Sequence, residues 1–262
     1  MALKKRVLGK SGIEVTEIGL GLWAAGGGDW GEADAKADAE VLKAIEAALE
    51  TGVTFFDTAD VIQFHIDFRE PTMEIFLEAF EKLQTSGKVR AFGVSSGDFE
   101  YIKAFSQNQK CATLQIDYSM LNRTPELEIL DYCKAQGIGV IVRGALAMGL
   151  LTGKLTENVS FADGDFRQKW LTDPQQNTAF KKDLAKVEKL RSLIRPGRTL
   201  AQAALRFVLK HDAVTTVIPG ARTADQVLAN LATVEAPGLS DKDMALIDQV
   251  TPARGGRKIW PA

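Results

Sequence analysis

Short apolar strands alternate regularly with amphipathic helices along this chain, and this alternation restricts the fold more than any other feature. The predicted strands span residues 18–23, 53–57, 61–66, 90–94, 112–118, 138–142 and 214–218. The predicted helices span residues 37–51, 72–86, 125–136, 179–194 and 200–210, with others beginning near 98, 223 and 241. Strands that are apolar on both faces form parallel sheets covered by helices. Seven strand–helix units favour an α/β fold, a single closed (β/α) barrel domain of the TIM type over residues 1–262.

An N-terminal β-hairpin is predicted ahead of the barrel, with its turn at residues 9–12. An open doubly wound sheet is the alternative fold, and it would need a glycine fingerprint after its first strand. Residues 26–28 are three consecutive glycines, but they lack the G-x-G-x-x-G spacing. Residues 152–177 show no clear period and are predicted to form a long loop.

Charge and cysteine usage argue against several classes of function. The chain has 262 residues, with 32 Lys and Arg against 34 Asp and Glu, and this net charge of −2 argues against a nucleic-acid partner. Cys111 and Cys133 have no metal-binding spacing, so we expect buried reduced thiols and no metal site. Residues 137–151 are the most apolar stretch, but Arg143 interrupts them and they are too short to cross a membrane. Since no signal peptide is recognised either, we expect a soluble cytoplasmic protein, monomeric or homo-oligomeric, with no membrane partner.

Residues 218–230 have the pattern of an anion site at the start of a helix. A predicted strand ends there, and Thr223 with Gln226 is predicted to form a capping box for the next helix. Backbone N–H groups at the helix start and the Arg222 guanidinium favour a phosphate. Gln226 and Asn230 lie on one face of that helix. A well-capped helix with a surface arginine is the alternative interpretation.

A second glycine-rich segment, residues 143–154, follows the preceding predicted strand. Gly149 and Gly153 allow a ligand to approach the backbone closely, and Arg143 and Lys154 supply positive charge. In barrels of this type, phosphates favour the loops after the last two strands. The two segments together therefore predict a cofactor that carries phosphate.

The spacing between two predicted strands is too short for a barrel. Asp57 and His65, near the ends of strands 53–57 and 61–66, lie eight residues apart, whereas parallel neighbours need a crossover of about a dozen residues or more. Either the second segment is not a parallel barrel strand, or a helix–strand–helix piece is missing after Asp60. Two strand–helix units, about 60 residues, would restore eight strands.

Several motifs taken together resemble those of the aldo-keto reductase family. In chain order they are Gly19-Leu-Gly-Leu-Trp23, Phe56-Asp-Thr-Ala59, Gly93-Val-Ser-Ser96, Gly149-Leu-Leu-Thr-Gly-Lys154 and Ile218-Pro-Gly-Ala-Arg222. The resemblance extends from about Arg6 to Val250. It implies a (β/α)8 barrel that binds NADPH and reduces small-molecule aldehydes or ketones.

The resemblance also implies a set of cofactor-binding residues. Ser95, Ser96 and Gln115 are expected to hold the nicotinamide amide. Residues 143–154 are expected to line the pyrophosphate, and Arg222 to receive the 2′-phosphate. The full set is Gly21, Trp23, Ser95, Ser96, Gln115, Arg143, Ala145, Leu146, Gly149, Leu150, Gly153, Lys154, Gly220, Ala221, Arg222, Gln226 and Asn230.

The catalytic residues that the resemblance implies are incomplete. The family's tetrad is Asp, Tyr, Lys and His, and here Asp57 matches the aspartate and His65 the histidine. Ile62 occupies the tyrosine position, and the strand that would carry the lysine is not found. On the residues alone, Asp57 is also typical of a strand-end cap and His65 of a core histidine.

Two functions stay open. The leading hypothesis is an NADPH-dependent carbonyl reductase from which the segment with Tyr and Lys is omitted here or has been deleted. The alternative is a non-catalytic NADP(H)-binding sensor or scaffold subunit.

A barrel without one strand would also expose two strand edges and tend to associate.

Overall fold

A computed structural model describes residues 2–23, 35–57, 63–64, 73–107 and 110–259 of the chain. The strands are β1 Lys5–Val7, β2 Glu14–Thr16, β3 Leu20–Gly21, β4 Phe56–Asp57, β5 Gln63–Phe64, β6 Gly93–Ser95, β7 Thr113–Asp117, β8 Gly139–Arg143 and β9 Val214–Val217. The helices are α1 Ala35–Glu50, α2 Met73–Thr85, α3 Phe99–Ser106, α4 Ile129–Gln136, α5 Lys169–Thr172, α6 Pro174–Leu190, α7 Leu200–Leu209, α8 Ala224–Leu231 and α9 Asp241–Val250.

Seven of the strands are parallel neighbours. Strands β5 to β9 form one sheet in sequence order, and β3 pairs in parallel with β4. Parallel bridges from Ile18 to Val217 and from Gly21 to Gly220 connect β3 to β9. The order around the sheet is therefore β4, β3, β9, β8, β7, β6, β5. This arrangement confirms the α/β fold of the TIM-barrel type.

The sheet ends where the sequence spacing is too short for a parallel crossover, and β5 is nevertheless a parallel strand beside β6. Strands β4 and β5 follow each other in the chain and lie at opposite ends of the strand order. Within the described residues, no hydrogen-bonded ladder joins β4 to β5. The intervening residues 58–62, which include Ile62, lie outside the described residues, as does His65.

The β1–β2 hairpin closes the amino-terminal end of the barrel. Its residues Leu8 and Val15 form a small apolar cluster with Ile141 and Ile218, separate from the large core between strands and helices. The hairpin turn itself packs against the strands, because a Cβ on Gly9 would overlap the backbone of the β7 and β8 strand starts. The predicted hairpin is thus confirmed, and it fills the lower part of the barrel interior.

Capping residues decide where several helices begin. Thr199 forms a capping box with Gln202 at α7, and Ser240 forms one with Asp243 at α9. The prediction of a loop over residues 152–177 is wrong at its end, since α5 lies there and α6 begins at Pro174 rather than at 179. The reason is local: the Asp173 side chain accepts a hydrogen bond from Gln176 N, and proline suits the first helical position.

Two expectations drawn from composition can be compared with the structure. Cys111 and Cys133 are free and buried, as predicted, and burial raises the pKa of each thiol to about 12. Across the described ranges, no helix has the length and apolar character needed to cross a membrane. Among the same residues, no three His, Cys, Asp or Glu side chains are grouped so that they could hold a metal ion.

Replacing Gly9 by Ala is expected to destabilise the protein by roughly 2–4 kcal/mol, because the added Cβ meets backbone atoms and the residue has a left-handed φ of +53°. Gly12→Ala is the matched control: Gly12 has a φ of +70° with nothing within 4 Å of an added Cβ. The control should lose only about 1 kcal/mol. Urea unfolding measures both, and equal losses would contradict the close packing of the turn.

Candidate active site at the carboxyl ends of the strands

Polar side chains replace apolar ones in the barrel interior toward the carboxyl ends of the strands. In the β7–β8 ladder Gln115 lies opposite Ile141, and Asp117 lies opposite Arg143 one layer farther along. Successive side chains of a strand point to opposite faces, so Gln115 and Asp117 share the interior face. On its other edge β7 pairs with β6, and there Ser95 lies opposite Gln115. A buried polar layer therefore sits above the apolar cluster of the hairpin.

The hydrogen bond between Gln115 and Asp57 joins two distant strands. The Gln115 Nε2 donates to Asp57 Oδ1 at 2.8 Å, across 58 residues of sequence. Gln115 is buried and Asp57 is half-buried at the end of β4. The contact brings together one residue predicted to be catalytic and one predicted to bind cofactor.

Ser95 carries a buried hydroxyl without a hydrogen-bond partner among the described residues. Its side chain is 6% exposed at the end of β6. The adjacent Ser96 is half-buried, and its Oγ accepts a hydrogen bond from Asp98 N at 3.1 Å. A buried polar atom without a partner costs free energy, so the Ser95 hydroxyl is suited to a ligand that supplies a donor or acceptor.

Two buried charges, Arg143 and Asp117, lie at the next layer. Burial lowers the pKa of the Arg143 guanidinium, while the negative charges of Asp117 and Asp57 raise it. Burial raises the pKa of the Asp117 carboxyl, and a 2.9 Å hydrogen bond from Asn122 Nδ2 opposes that rise. Sequence reasoning missed Asp117 and Asn122. The signal for Asp117 was its position two residues after Gln115, which places it on the same face of β7.

The segment after β8 follows a tight, partly left-handed path. Ala147, Met148 and Gly149 all have positive φ values, of 49°, 55° and 97°. Ala145 and Leu150 are buried, whereas Lys154 is exposed. The remaining predicted cofactor residues of this segment, Leu146 and Gly153, are half-buried. The segment thus presents backbone and one exposed cation at the carboxyl end of the sheet.

The segment around Arg222 differs from its prediction in one hydrogen bond. Thr223 Oγ1 accepts from Gln226 N, as the capping box requires, but Gln226 Oε1 accepts from Arg222 N at 2.7 Å. The predicted capping box is therefore only half formed, because the Gln226 side chain reaches one residue farther back. Arg222 and Asn230 are half-buried at α8. Of their neighbours, Gly220 is exposed and pairs with Gly21, while Ala221 is buried.

An aromatic pair lies beside the end of β3. Trp23 stacks on Phe166 with ring centroids 5.9 Å apart. Arg167 holds this part of the chain through its ion pair with Asp165 at 2.6 Å and a hydrogen bond to the carbonyl oxygen of Met148. Sequence reasoning placed Trp23 at the end of a strand and Phe166 and Arg167 in a long loop, and it missed the contact between them.

None of the three tyrosines of the sequence lies in the polar layer. Tyr118 donates its hydroxyl to Glu126 at 2.8 Å, and burial raises the pKa of the Tyr118 phenol. The Tyr132 hydroxyl lies 2.7 Å from Ser106 Oγ, between α4 and α3. Tyr101 is buried on α3 in the core between helices and strands. The sequence contains no further tyrosine.

The barrel topology and this polar layer define a candidate site at the carboxyl ends of the strands of an α/β barrel, and the sequence comparison gives the family. The profile of the Aldo/keto reductase family matches residues 17–61 and 59–252, which is most of the chain. The chain therefore belongs to the aldo-keto reductase family. The two matched segments meet at residues 59–61. This place lies between β4 and β5, which no hydrogen-bonded ladder connects within the described residues.

Individual relatives agree with this assignment. The chain is 27% identical to the aldo-keto reductase YhdN of Bacillus subtilis (strain 168), over 308 positions that cover 92% of this chain and 91% of the relative. It is 31% identical to the NADH-specific methylglyoxal reductase of Escherichia coli (strain K12) over 173 positions, which cover 66% of this chain and 52% of that relative. The matched part therefore spans about half the length of the second relative.

A solved structure shows the same fold. The glycerol dehydrogenase AKR11B4 from Gluconobacter oxydans superposes with a TM-score of 0.77 at 24% identity, covering 100% of this chain and 99% of the other.

The alignment with the Bacillus subtilis protein also concerns the length of the chain. The alignment has 308 positions, whereas this chain has 262 residues. The difference means that at least 46 positions of the relative have no counterpart in this chain.

Gln115→Glu would set a second carboxylate against Asp57. Repulsion raises the pKa of the introduced carboxyl above its unfolded value of about 4.3, so the folded variant binds an extra proton and loses stability as the pH rises. We expect its free energy of unfolding to fall, relative to the wild type, by about 2–4 kcal/mol between about pH 5 and pH 8.

Urea unfolding at the two pH values measures this difference. Gln115→Met is the control, because it removes the hydrogen bond to Asp57 without adding a titratable group. The same pH dependence in both variants would show that residue 115 does not face the Asp57 carboxylate.

Proposed function

We propose that the protein reduces aldehydes or ketones to alcohols by hydride transfer from NADPH. The observation that carries this proposal is the contact between Asp57 and Gln115 beside the unpartnered Ser95 hydroxyl, at the carboxyl ends of the strands. Ligands of (β/α) barrels bind at this end. Membership of the aldo-keto reductase family supports the reaction class.

The residues of the polar layer fit a nicotinamide amide. Such an amide has both a donor and an acceptor, and the buried Ser95 hydroxyl can serve as either. Ser95, Ser96 and Gln115 would hold the amide, and a bound dinucleotide would supply the hydride. Gln115 also fixes Asp57, so the same side chain would position both the cofactor and the carboxylate.

The phosphate groups would lie along the two segments after β8 and β9. Residues 143–154 offer close backbone approach, and Arg222 stands half-buried at the start of α8. Its guanidinium would form charge-assisted hydrogen bonds with a 2′-phosphate, and this supports NADPH over NADH. Cofactor choice is open to test, since the E. coli relative is named as NADH-specific.

Proton delivery is the step that this sequence does not complete. Reduction of a carbonyl leaves an alkoxide that needs a proton, and a tyrosine near its usual pKa of about 10 needs a nearby ammonium to deliver one. Tyr118 and Tyr132 form hydrogen bonds outside the polar layer, Tyr101 is buried on α3, and Ile62 stands at the family's tyrosine position. Full activity would therefore require a Tyr and a Lys from a segment between β4 and β5.

The second candidate function is a non-catalytic NADP(H)-binding subunit. The placement of the tyrosines favours it, because Tyr118 and Tyr132 form hydrogen bonds outside the polar layer, away from a substrate bound there. The two candidates share the cofactor site and differ only in the chemistry at Asp57.

Arg222→Ala is expected to weaken NADPH binding about tenfold and to leave NADH binding nearly unchanged, because only NADPH carries the 2′-phosphate. Arg90→Ala is the matched control, since Arg90 is exposed before β6, at the opposite end of the strands. Titration calorimetry with both nucleotides measures the effect. An equal loss for NADH would place Arg222 outside the 2′-phosphate site.

The mass of the polypeptide purified from its natural source separates the two functions. A mass several kilodaltons above 28.5 kDa, together with aldehyde-dependent loss of NADPH absorbance, is the result expected for the reductase. We expect the 262-residue chain itself to bind NADPH with little or no turnover. A natural mass of 28.5 kDa without turnover would favour the non-catalytic subunit, and failure of NADPH to bind would refute both.

A further inference from the structure

A cavity of about 240 Å³ lies between the loops that follow β6 and β7. Two cationic side chains, Arg143 and Lys258, line it together with Asp117 and Asn122. We propose that this cavity binds the acidic group of the substrate, a carboxylate or a phosphate, so that the substrates are small carbonyl compounds that carry an anionic group. The inference rests on the proposed function and specifies its substrate class.

The cavity adjoins the polar layer of the active site. Asp117 and Arg143 are ladder partners directly beyond Gln115 and Ile141, and all four belong to β7 and β8. Gln115 in turn contacts Asp57. An anionic group held by Arg143 would thus lie one layer from the Asp57–Gln115 pair, within the length of a small substrate.

The charges that face the cavity suit an anion. Asp117 is already bound by the Asn122 side chain at 2.9 Å and by the backbone of Ile259. Burial lowers the pKa of the Lys258 ammonium, the nearby Arg143 charge lowers it further, and Asp117 opposes both effects. Glu128 is the other carboxylate on the lining, and it is exposed at the rim. On the lining, two cations therefore face one buried carboxylate that has its own hydrogen bonds, while Asp57, which is not on the lining, also attracts Arg143.

Two helices begin at the same cavity. Gly97 and Phe99 line it at the start of α3, and Glu128 and Ile129 line it at the start of α4. Asp98 caps α3, whereas no side chain caps α4. Helix starts carry partial positive charge and backbone N–H groups, which add to the attraction that Arg143 and Lys258 exert on an anion.

The size of the cavity limits the substrate. Its volume corresponds to about eight water molecules of roughly 30 Å³ each. Apolar side chains complete the lining: Phe99, Ile116, Pro125, Leu127 and Ile129. A short carbon chain ending in one acidic group would fill this space, with the chain against the apolar side and the acid between the two cations.

The test measures anion binding by titration calorimetry at constant ionic strength. The probes are inorganic phosphate, malonate and, as a neutral analogue, malonamide. We expect phosphate or malonate to bind at one site and malonamide not to bind, and the tighter of the two anions identifies the acidic group. Lys258→Met should weaken that binding about tenfold, whereas Lys242→Met, at an exposed lysine of α9, should leave it unchanged.

Asp117→Asn is a second test, in which the affinity for the anion should rise rather than fall. Removing the one buried carboxylate that the described residues contribute to the lining should tighten binding of the anion several-fold, while loss of folding would appear independently in the unfolding curve. An unchanged or weaker affinity in a folded Asp117→Asn protein would overturn the proposal, as would equal affinities in the wild type and Lys258→Met.

Saturation with NADP+ separates this inference from the proposed function. If the anion still binds to the NADP+-loaded protein, the cavity is a substrate site. If NADP+ displaces the anion, the cavity belongs to the phosphates of the cofactor and the inference is overturned. If NADP+ does not bind while the anion does, the proposed function fails and the anion site stands by itself.

Discussion

The arrangement of the site depends on the backbone ladder that connects β3 to β9. The Gly19 N–H donates to the Val217 carbonyl oxygen at 2.8 Å, and the Leu20 N–H donates to Phe55 O at 3.0 Å, so one short strand serves both neighbours. Glycine is required for this approach, because a Cβ on Gly19 would lie 2.7 Å from Phe55 O. Through this ladder β4 joins the sheet that begins at β5. Asp57 can reach Gln115 only because the ladder brings their strands around one interior.

That interior is divided between an apolar and a polar layer, and this division determines the pKa values of the charged groups in the site. The hairpin residues Leu8 and Val15 fill the amino-terminal part with apolar side chains. Charges buried above these apolar residues lose hydration, which disfavours their charged forms, so burial lowers the pKa of Arg143 and raises that of Asp117. With apolar side chains at the amino-terminal end, the polar and charged groups of the interior lie toward the carboxyl ends of the strands.

The sequence predicted the strands and most helices well, because period and capping are local properties. It also located the discontinuity after Asp57 from loop length alone. It could not predict that Gln115 meets Asp57, since 58 residues separate them and only the closing ladder brings them together. The Gln226 side chain bonds the N–H of Arg222 rather than that of Thr223, and the choice between two N–H groups one residue apart depends on the path of the chain after Gly220. Asp117 was missed, although its position two residues after Gln115 places both side chains on the same face of β7.

The end of the sheet at β4 has a consequence for local unfolding. A strand in the middle of a sheet shares its hydrogen bonds with two neighbours, whereas within the described residues β4 pairs only with β3, over two residues. Regions with few hydrogen bonds and few packed neighbours open at a small fraction of the global unfolding free energy. Amide hydrogen exchange should therefore be fast at β4 and slow at β7 and β8. Since Asp57 belongs to β4, the hydrogen bond from Gln115 attaches its carboxylate to the more stable part of the sheet.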